Sequence, residues 1–278
     1  MHKIDNYQIG HTSTSRTYLK CELNITDDPS VEVSFSHRHQ FYAVYWIHDG
    51  NGMHIIDFQN YELKKDRIFF LRAEQMHLML PDTRIIYSAV QFTEAYIRLF
   101  ASNTHTDLPQ YIDLKTDTER QRFMSLFNEI EQESQSSDSV AILQGEIYLL
   151  MHELLRCDKL LHQKFQSLPE ILVQYQRLIE LHYSQKHQVS DYAGLLSVSA
   201  NYLNVLCVRH LGQSALSLIN NRIILEIKRR LMDSQMSVSE IAYSLGFSEM
   251  SYFSRFFKRH TDCTPVEFRE QMNKMYQN

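Results

Sequence analysis

In the N-terminal half of the chain, apolar and polar positions alternate or cluster in short stretches. Val31 to Phe35 alternates, and Phe41 to Ile47 is aromatic and β-branched. Met53 to Phe58, Arg67 to Leu71, Met76 to Leu80 and Ile85 to Phe92 follow with short polar breaks. Asp49-Gly-Asn-Gly52 is a turn cluster between two of these runs. Many short strands at this spacing predict a small β-sandwich or barrel. The period then lengthens. One helix is predicted over Asp117 to Gln132 and a second over Asp138 to Lys164, with the acidic, Ser/Gln-rich stretch Glu129 to Ser139 at their junction. Leu143, Ile147, Leu150, Leu154 and Leu161 recur at three- or four-residue steps, apart from one heptad skip. This stripe fits burial against the protein's own barrel. As about three heptads it also fits a seam between two copies of the chain. After Ser167-Leu-Pro169 the pattern is helical to the end.

The fold class is therefore α+β. The division is a sheet domain over residues 1–112, a helical connector with a possible dimerisation role over 113–168, and an all-helical domain over 169–278. A length of 278 residues agrees with about two domains. Hydrophobic residues at 44% and charged residues at 22% fit a globular chain and exclude extensive disorder. No apolar run reaches the roughly 18 residues that span a bilayer. The first residues lack the apolar core of a signal peptide, and four scattered cysteines form no Cys-x-x-Cys pair, so a cytoplasmic protein with reduced thiols is expected. The net charge of -5 is unevenly spread. Glu170 to Asn278 carries 12 Lys and Arg against 10 Asp and Glu, a balance of +2, which leaves -7 on the remainder. The C-terminal part can face an anionic partner.

That part contains an internal repeat. Val189, Ala193 and Ser199 return as Val238, Ala242 and Ser248 at an offset of 49, and Leu203, Leu206 and Gly212 return as Phe253, Phe256 and Asp262 at an offset of 50. One residue has entered at the start of the second copy's long helix. Within that copy, Ser237 and Glu240 have capping-box spacing. Ile241, Ala242 and Leu245 make a buried face, Gly246 ends the first helix, and Ser248 is placed to cap a second helix running to about His260. Helix, tight turn and helix is the layout of a DNA-reading motif. Phe253, Phe256 and Phe257 point inward, while Met250, Ser251, Ser254, Arg255 and Lys258 share the opposite face. Arg255 suits a guanine edge and Lys258 a phosphate. In the first copy the matching face offers Asn201, Asn204 and Val205 to bases, with Arg209 the nearest charge. Asn pairs with adenine, and Val touches a thymine methyl. For a lone helix such a stripe would be read as merely solvated.

The spelling decides the matter. Ser-Val-Ser-Glu-Ile-Ala-Tyr-Ser-Leu-Gly-Phe-Ser-Glu-Met-Ser-Tyr-Phe-Ser-Arg-Phe-Phe-Lys-Arg-His from Ser237, with Thr264-Pro265 and Phe268-Arg269 beyond it, closely resembles the signature of AraC/XylS-family transcription regulators. The resemblance covers about Val173 to Met272, including Arg222, Lys228 and Leu231 of the joining helix, and over ten positions match at fixed spacing. It implies two helix-turn-helix motifs in one chain, double-stranded promoter DNA and RNA polymerase as partners, and no enzymatic activity. The joining helix, Ser214 to Leu231, would be about 27 Å long, suited to holding two reading helices in adjacent major-groove turns about 34 Å apart. Two departures stand out. Asp262 replaces the family's usual Gly, which predicts a modest stability cost. Cys207-Val208 replaces the usual Phe-Lys, so the first motif is expected to supply less phosphate affinity than the second.

Ser36-His-Arg-His39, then Phe-Tyr, Gly50 and Gln75-Met-His77 resemble, more loosely, the cupin-like sensor barrel common in that family. His37 and His39 are two apart and would share one face of a strand. A metal-binding cupin would next supply a carboxylate, and Phe41-Tyr-Ala-Val-Tyr45 contains none, although three neutral imidazoles suffice for zinc. His37, His39, Tyr45 and His77 are therefore expected to line an effector pocket, with no metal and no cofactor. The reading is a regulator controlled by a small-molecule effector or partner, acting as a monomer or homodimer, with no membrane. The rival is a metal-dependent cupin enzyme with a helical accessory domain.

Overall fold

Alternation along three central strands sets the layers of the first unit. In the computed structural model, which describes residues 18–27, 37–97, 108–135, 140–157, 168–232 and 236–276, the strands are β1 (Leu19–Asp27), β2 (Tyr42–Asp49), β3 (Gly52–Ile56), β4 (Gln59–Leu63), β5 (Arg67–Leu71), β6 (His77–Pro81), β7 (Ile85–Phe92) and β8 (Tyr111–Asp113). They make two antiparallel sheets, ordered β1-β7-β2-β5-β8 and β4-β3-β6. Ala43, Tyr45, Ile47, Phe69, Leu71, Ile85 and Ala89 of the larger sheet meet Ile56 and Leu63 of the smaller in one core. The intervening Val44, Trp46, Ile68, Phe70, Val90 and Phe92 enter a second core. There they join Phe123 and Phe127 of α1 (Asp117–Ser134) and Leu143, Ile147, Leu150 and Leu154 of α2 (Val140–Cys157). A period of two sends neighbours to opposite faces, and here both faces are covered, so these strands read as nearly continuous apolar runs.

The described part of the α2 stripe thus lies in the protein's own core. Leu161 and Val31 to Phe35 fall outside the described residues. The connector helices share a core with the sheet, and the chain divides into compact units over residues 1–166 and 167–278. Two expected strands, β5 and β7, have the bounds read from sequence. The third run stops at Ile56 because Asp57 and Phe58, at φ 48° and 67°, form a two-residue hairpin turn. The strands that went unread, β1, β4 and β8, are all sheet edges, where one side of the strand lacks a partner and polar residues are tolerated. Gly50 and Gly52 are both required at their turn. A Cβ would come within 2.5 Å of the Arg84 carbonyl oxygen at the first and 2.3 Å of the Leu80 carbonyl oxygen at the second.

The second unit is helical: α3 (Glu170–His182), α4 (Val189–Leu195), α5 (Ala200–Leu211), α6 (Ala215–Leu231), α7 (Val238–Ser244), α8 (Met250–Thr261) and α9 (Pro265–Tyr276). Its core takes Tyr175, Tyr192, Leu203, Ile219, Ile223, Ile227, Phe253 and Phe257, all buried. The Tyr175 hydroxyl donates to the Ala215 carbonyl at 2.8 Å, so its burial leaves no polar atom stranded. Among the described residues no helix is long and apolar enough to cross a membrane.

Candidate functional site

The two copies of the repeat fold alike, down to their turns. In the second copy Glu240 accepts from the Ser237 amide at 2.7 Å, and Ser237 Oγ accepts from the Glu240 amide at 3.2 Å. α7 buries Ile241 and Ala242, Gly246 takes φ 77°, and the Phe247 amide donates back to the Ala242 carbonyl at 3.0 Å. In the first copy Asp191 accepts from the Gln188 amide at 3.3 Å. α4 buries Tyr192 and Ala193, Ser197 takes φ 55°, and the Val198 amide donates to the Ala193 carbonyl at 3.0 Å. Ser197 therefore makes, with a side chain, the left-handed turn that Gly246 makes without one. Gly246 has a second reason: a Cβ there would lie 2.7 Å from the Ser184 carbonyl oxygen.

The inserted residue is Glu249. Ser199 caps α5 by accepting from the Tyr202 amide at 3.1 Å, but the residue before α8 is Glu249, which makes no side-chain cap. The expected cap by Ser248 is thus displaced by one position. At the other end Gly212 (φ 69°) and Asp262 (φ 64°) both adopt the left-handed conformation, so Asp262 accepts the backbone its glycine counterpart has.

α8 buries Phe253, Phe256 and Phe257 and exposes Ser251, Arg255 and Lys258, with Met250 and Ser254 half-buried beside them. α5 buries Leu203, Leu206 and Cys207 and exposes Asn201, Val205 and Arg209. Asn204 is different. It is half-buried, and its Oδ1 accepts from the Ala215 amide at 3.1 Å, which holds the start of α6. Tyr202 and Tyr252, 50% and 49% exposed, stand beside these faces at the repeat's offset of 50, and the sequence reading passed over both. The repeat itself was the signal that pairs them.

α6, 17 residues and about 25 Å long, joins the motifs. Glu226, buried at its centre, meets Arg222 at 3.2 Å, Arg230 at 2.9 Å and Arg229 at 3.8 Å. Arg222 also pairs with Glu180 of α3 at 2.7 Å and lies 3.8 Å over the Tyr183 ring. Arg230 donates to Ser244 of α7 at 2.6 Å. Burial alone would raise the Glu226 carboxyl, but Arg222, Arg230 and Arg229 more than reverse it, and it sits below the usual carboxylate value. This network fastens the joining helix to α3 at one end and to the second motif at the other.

In the first unit the histidines gather. His37 and His77 exchange backbone hydrogen bonds of 3.1 and 2.9 Å, which sets their rings on one face with centroids 4.4 Å apart. His39 Nε2 lies 3.0 Å from His77 Nε2, and His39 Nδ1 lies 3.1 Å from the Phe41 carbonyl oxygen. The sequence reading missed His54, fully buried on β3, with Nε2 3.2 Å from His77 Nδ1. It shares the buried face of β3 with Gly52 and Ile56, and that was the available signal. Burial pushes His39 down to about 4, His54 to about 3, and His77 well below its ordinary value, so all three are uncharged at neutral pH. Tyr45 stands 6.0 Å from the His77 ring, and burial raises its hydroxyl above the ordinary value.

Two family models match this chain. An AraC-like ligand binding domain covers residues 25–151, and a helix-turn-helix domain covers residues 192–271. The transcriptional activator RhaS of Enterobacter sp. (strain 638) is 23% identical over 279 residues, spanning 97% of this chain and 96% of that protein. The activator of the same name from Escherichia coli (strain K12 / DH10B) is 22% identical over 277 residues, with the same coverage. Among solved structures, ToxT from Vibrio cholerae is 18% identical over 91% of this chain and 97% of its own, with a TM-score of 0.47. The ligand-binding model falls on the unit that gathers the histidines, the helix-turn-helix model on the unit that carries the repeat, and the chain belongs to the AraC/XylS family of transcription regulators.

Proposed function

We propose that residues 169–278 read promoter DNA through α5 and α8 together, and that residues 1–112 sense a ligand or partner that changes how well they do so. The observation that carries this is the duplicated motif with two outward polar faces on a spine fastened by Glu226. In α8, Arg255 takes a guanine edge and Lys258 a phosphate, with Met250, Ser251 and Ser254 packed alongside. In α5, Asn201 and Val205 contact bases and Arg209 the backbone. Asn204 contributes mainly by placing α6, since its carbonyl oxygen is already engaged. His37, His39, Tyr45 and His77 form or support the ligand site. The bound regulator acts in the cytoplasm by contacting RNA polymerase. Residues 113–168 supply a homodimer contact through the face of α2 that leaves Ile142 and Leu149 exposed. The relatives are transcriptional activators, and the chain is read as having no catalytic role.

Selection of bound fragments from random DNA tests this reading. One preferred site is expected, with affinity falling steeply from low to physiological salt as on the order of five to eight phosphate contacts are screened. Arg255→Ala should lose about 1–3 kcal/mol of discrimination at one position of that site. Lys258→Ala should weaken all sequences about equally. Binding indifferent to both salt and sequence would overturn the regulator reading, and equal losses on specific and random DNA in both variants would overturn the assignment of roles.

A further inference from the structure

We propose that His37, His39 and His77 form a binding site for one divalent transition-metal ion of the zinc class, with His54 as a positioning residue behind His77. The proposal rests on the reading of the first unit as a sensor and names the ligand that unit takes.

The geometry comes first. One nitrogen from each of the three rings lies within 4.8 Å of the others, and no other such group of His, Cys, Asp or Glu occurs among the described residues. In a tetrahedral site with metal–nitrogen bonds near 2.1 Å, ligand nitrogens stand about 3.4 Å apart. The His39 and His77 Nε2 atoms, at 3.0 Å, are already close to that spacing. The backbone pairing of His37 with His77 fixes two of the three donors, and stacking on Phe41 at 3.7 Å and 4° fixes the third ring.

Proton bookkeeping then points the lone pairs inward. The Phe41 carbonyl can only accept, so His39 carries its proton on Nδ1 and presents a lone pair at Nε2. Such an Nδ1–H bond to a backbone carbonyl is the usual way a ligating histidine is oriented. Without metal, His77 Nε2 must donate to that lone pair, its Nδ1 accepts from His54 Nε2, and His54 Nδ1 is left buried with no partner. With metal, His77 moves its proton to Nδ1 and donates to His54 Nε2, freeing Nε2 for the ion. His54 shifts its own proton to Nδ1, and no net proton leaves the site. His37 is only half-buried, so the cluster opens on its side. A fourth position there would take water or a small anionic group, as in three-ligand zinc sites.

The test uses the full chain, stripped of metal by chelator. Zn²⁺ uptake is measured by equilibrium dialysis, and Co²⁺ is added as a probe whose visible spectrum reports tetrahedral coordination. One ion per chain is expected, with affinity weakened at least 100-fold in His39→Ala and His77→Ala and about 10-fold in His54→Ala, in line with the loss from removing an orienting partner. His37→Ala, at a half-exposed position, keeps the test valid should the buried variants fail to fold; it should lose at least 10-fold. His152→Ala, on an exposed helix face, should lose nothing. No stoichiometric uptake by the folded wild-type chain, or unchanged uptake in His37→Ala, would overturn the site. Sequence-selective DNA binding is measured on the same samples. Its absence with and without metal would count against the regulator reading, an outcome separate from a failure of metal uptake.

Discussion

The buried cluster of titratable groups in the first unit is three histidines that stay neutral, whereas in the second it is a glutamate among arginines that stay charged. His39, His54 and His77 are stripped of water and bonded mainly to one another, so desolvation dominates and their charged forms are excluded. Glu226 is also stripped of water, but three guanidinium groups surround it, and their field outweighs desolvation. The lesson concerns partners. Burial lowers a base or raises an acid only when the neighbours bring no compensating charge. The same burial in an ion-paired network locks a charge in place and makes the network a structural fastener.

The largest expected effect comes from breaking that fastener. Glu226→Gln removes the carboxylate charge that Arg222, Arg229 and Arg230 share and should destabilise the chain by about 3–5 kcal/mol, read from urea unfolding. A loss below about 1 kcal/mol would mean that solvent already screens the network, and the contrast drawn above would fail.

Acid comes next, because the two units should fail at different pH. Each buried histidine has a folded value below its unfolded value of 6.5, so the unfolded state takes up protons that the folded state excludes. The first unit is therefore at full stability above about pH 6.5 and loses it as pH falls toward 4, by on the order of a few kcal/mol in the metal-free chain. Glu226 stabilises the second unit above its unfolded value of 4.5 and ceases to do so only as pH falls through its lower folded value. His187, part-buried and also lowered by desolvation, adds a smaller loss in the second unit. The single tryptophan, Trp46, lies buried in the first unit and reports on it alone. Its emission maximum should shift to the red together with a minor loss of far-ultraviolet helical signal from α1 and α2, at a higher pH than the larger loss from the helices of the second unit. The wavelength is the proper readout, since His48 lies 4.5 Å from the indole and alters its intensity when protonated. Coincident transitions would show that the units do not differ.

The smallest effects separate the two motifs of the second unit. Asp262→Gly should stabilise by roughly 0.5–1 kcal/mol by relieving a side chain in the left-handed conformation, whereas Gly212→Ala should destabilise by about 1 kcal/mol. Thermal unfolding checks both, and a destabilised Asp262→Gly would give the aspartate side chain a role of its own.

Much of the helical unit was legible in the residues because its signals are local. The Ser237–Glu240 box, the glycine turn, the phenylalanine stripe and the left-handed Asp262 each act within one or two turns of chain. β5 and β7 were equally legible, since burial on both faces calls for a nearly continuous apolar run. Tertiary structure alone decided the rest. Asn204 looked free to read a base until the fold brought the Ala215 amide to it, and Glu249 took the capping position through a one-residue insertion. Edge strands, with one side unpaired, needed no apolar pattern to declare them. His54 carries no motif, yet pairing of β3 with β6 sets it against His77, 23 residues away in the chain. Local pattern records what a residue does to its own element; which buried polar groups meet depends on how distant elements pack, and that information is held in the fold.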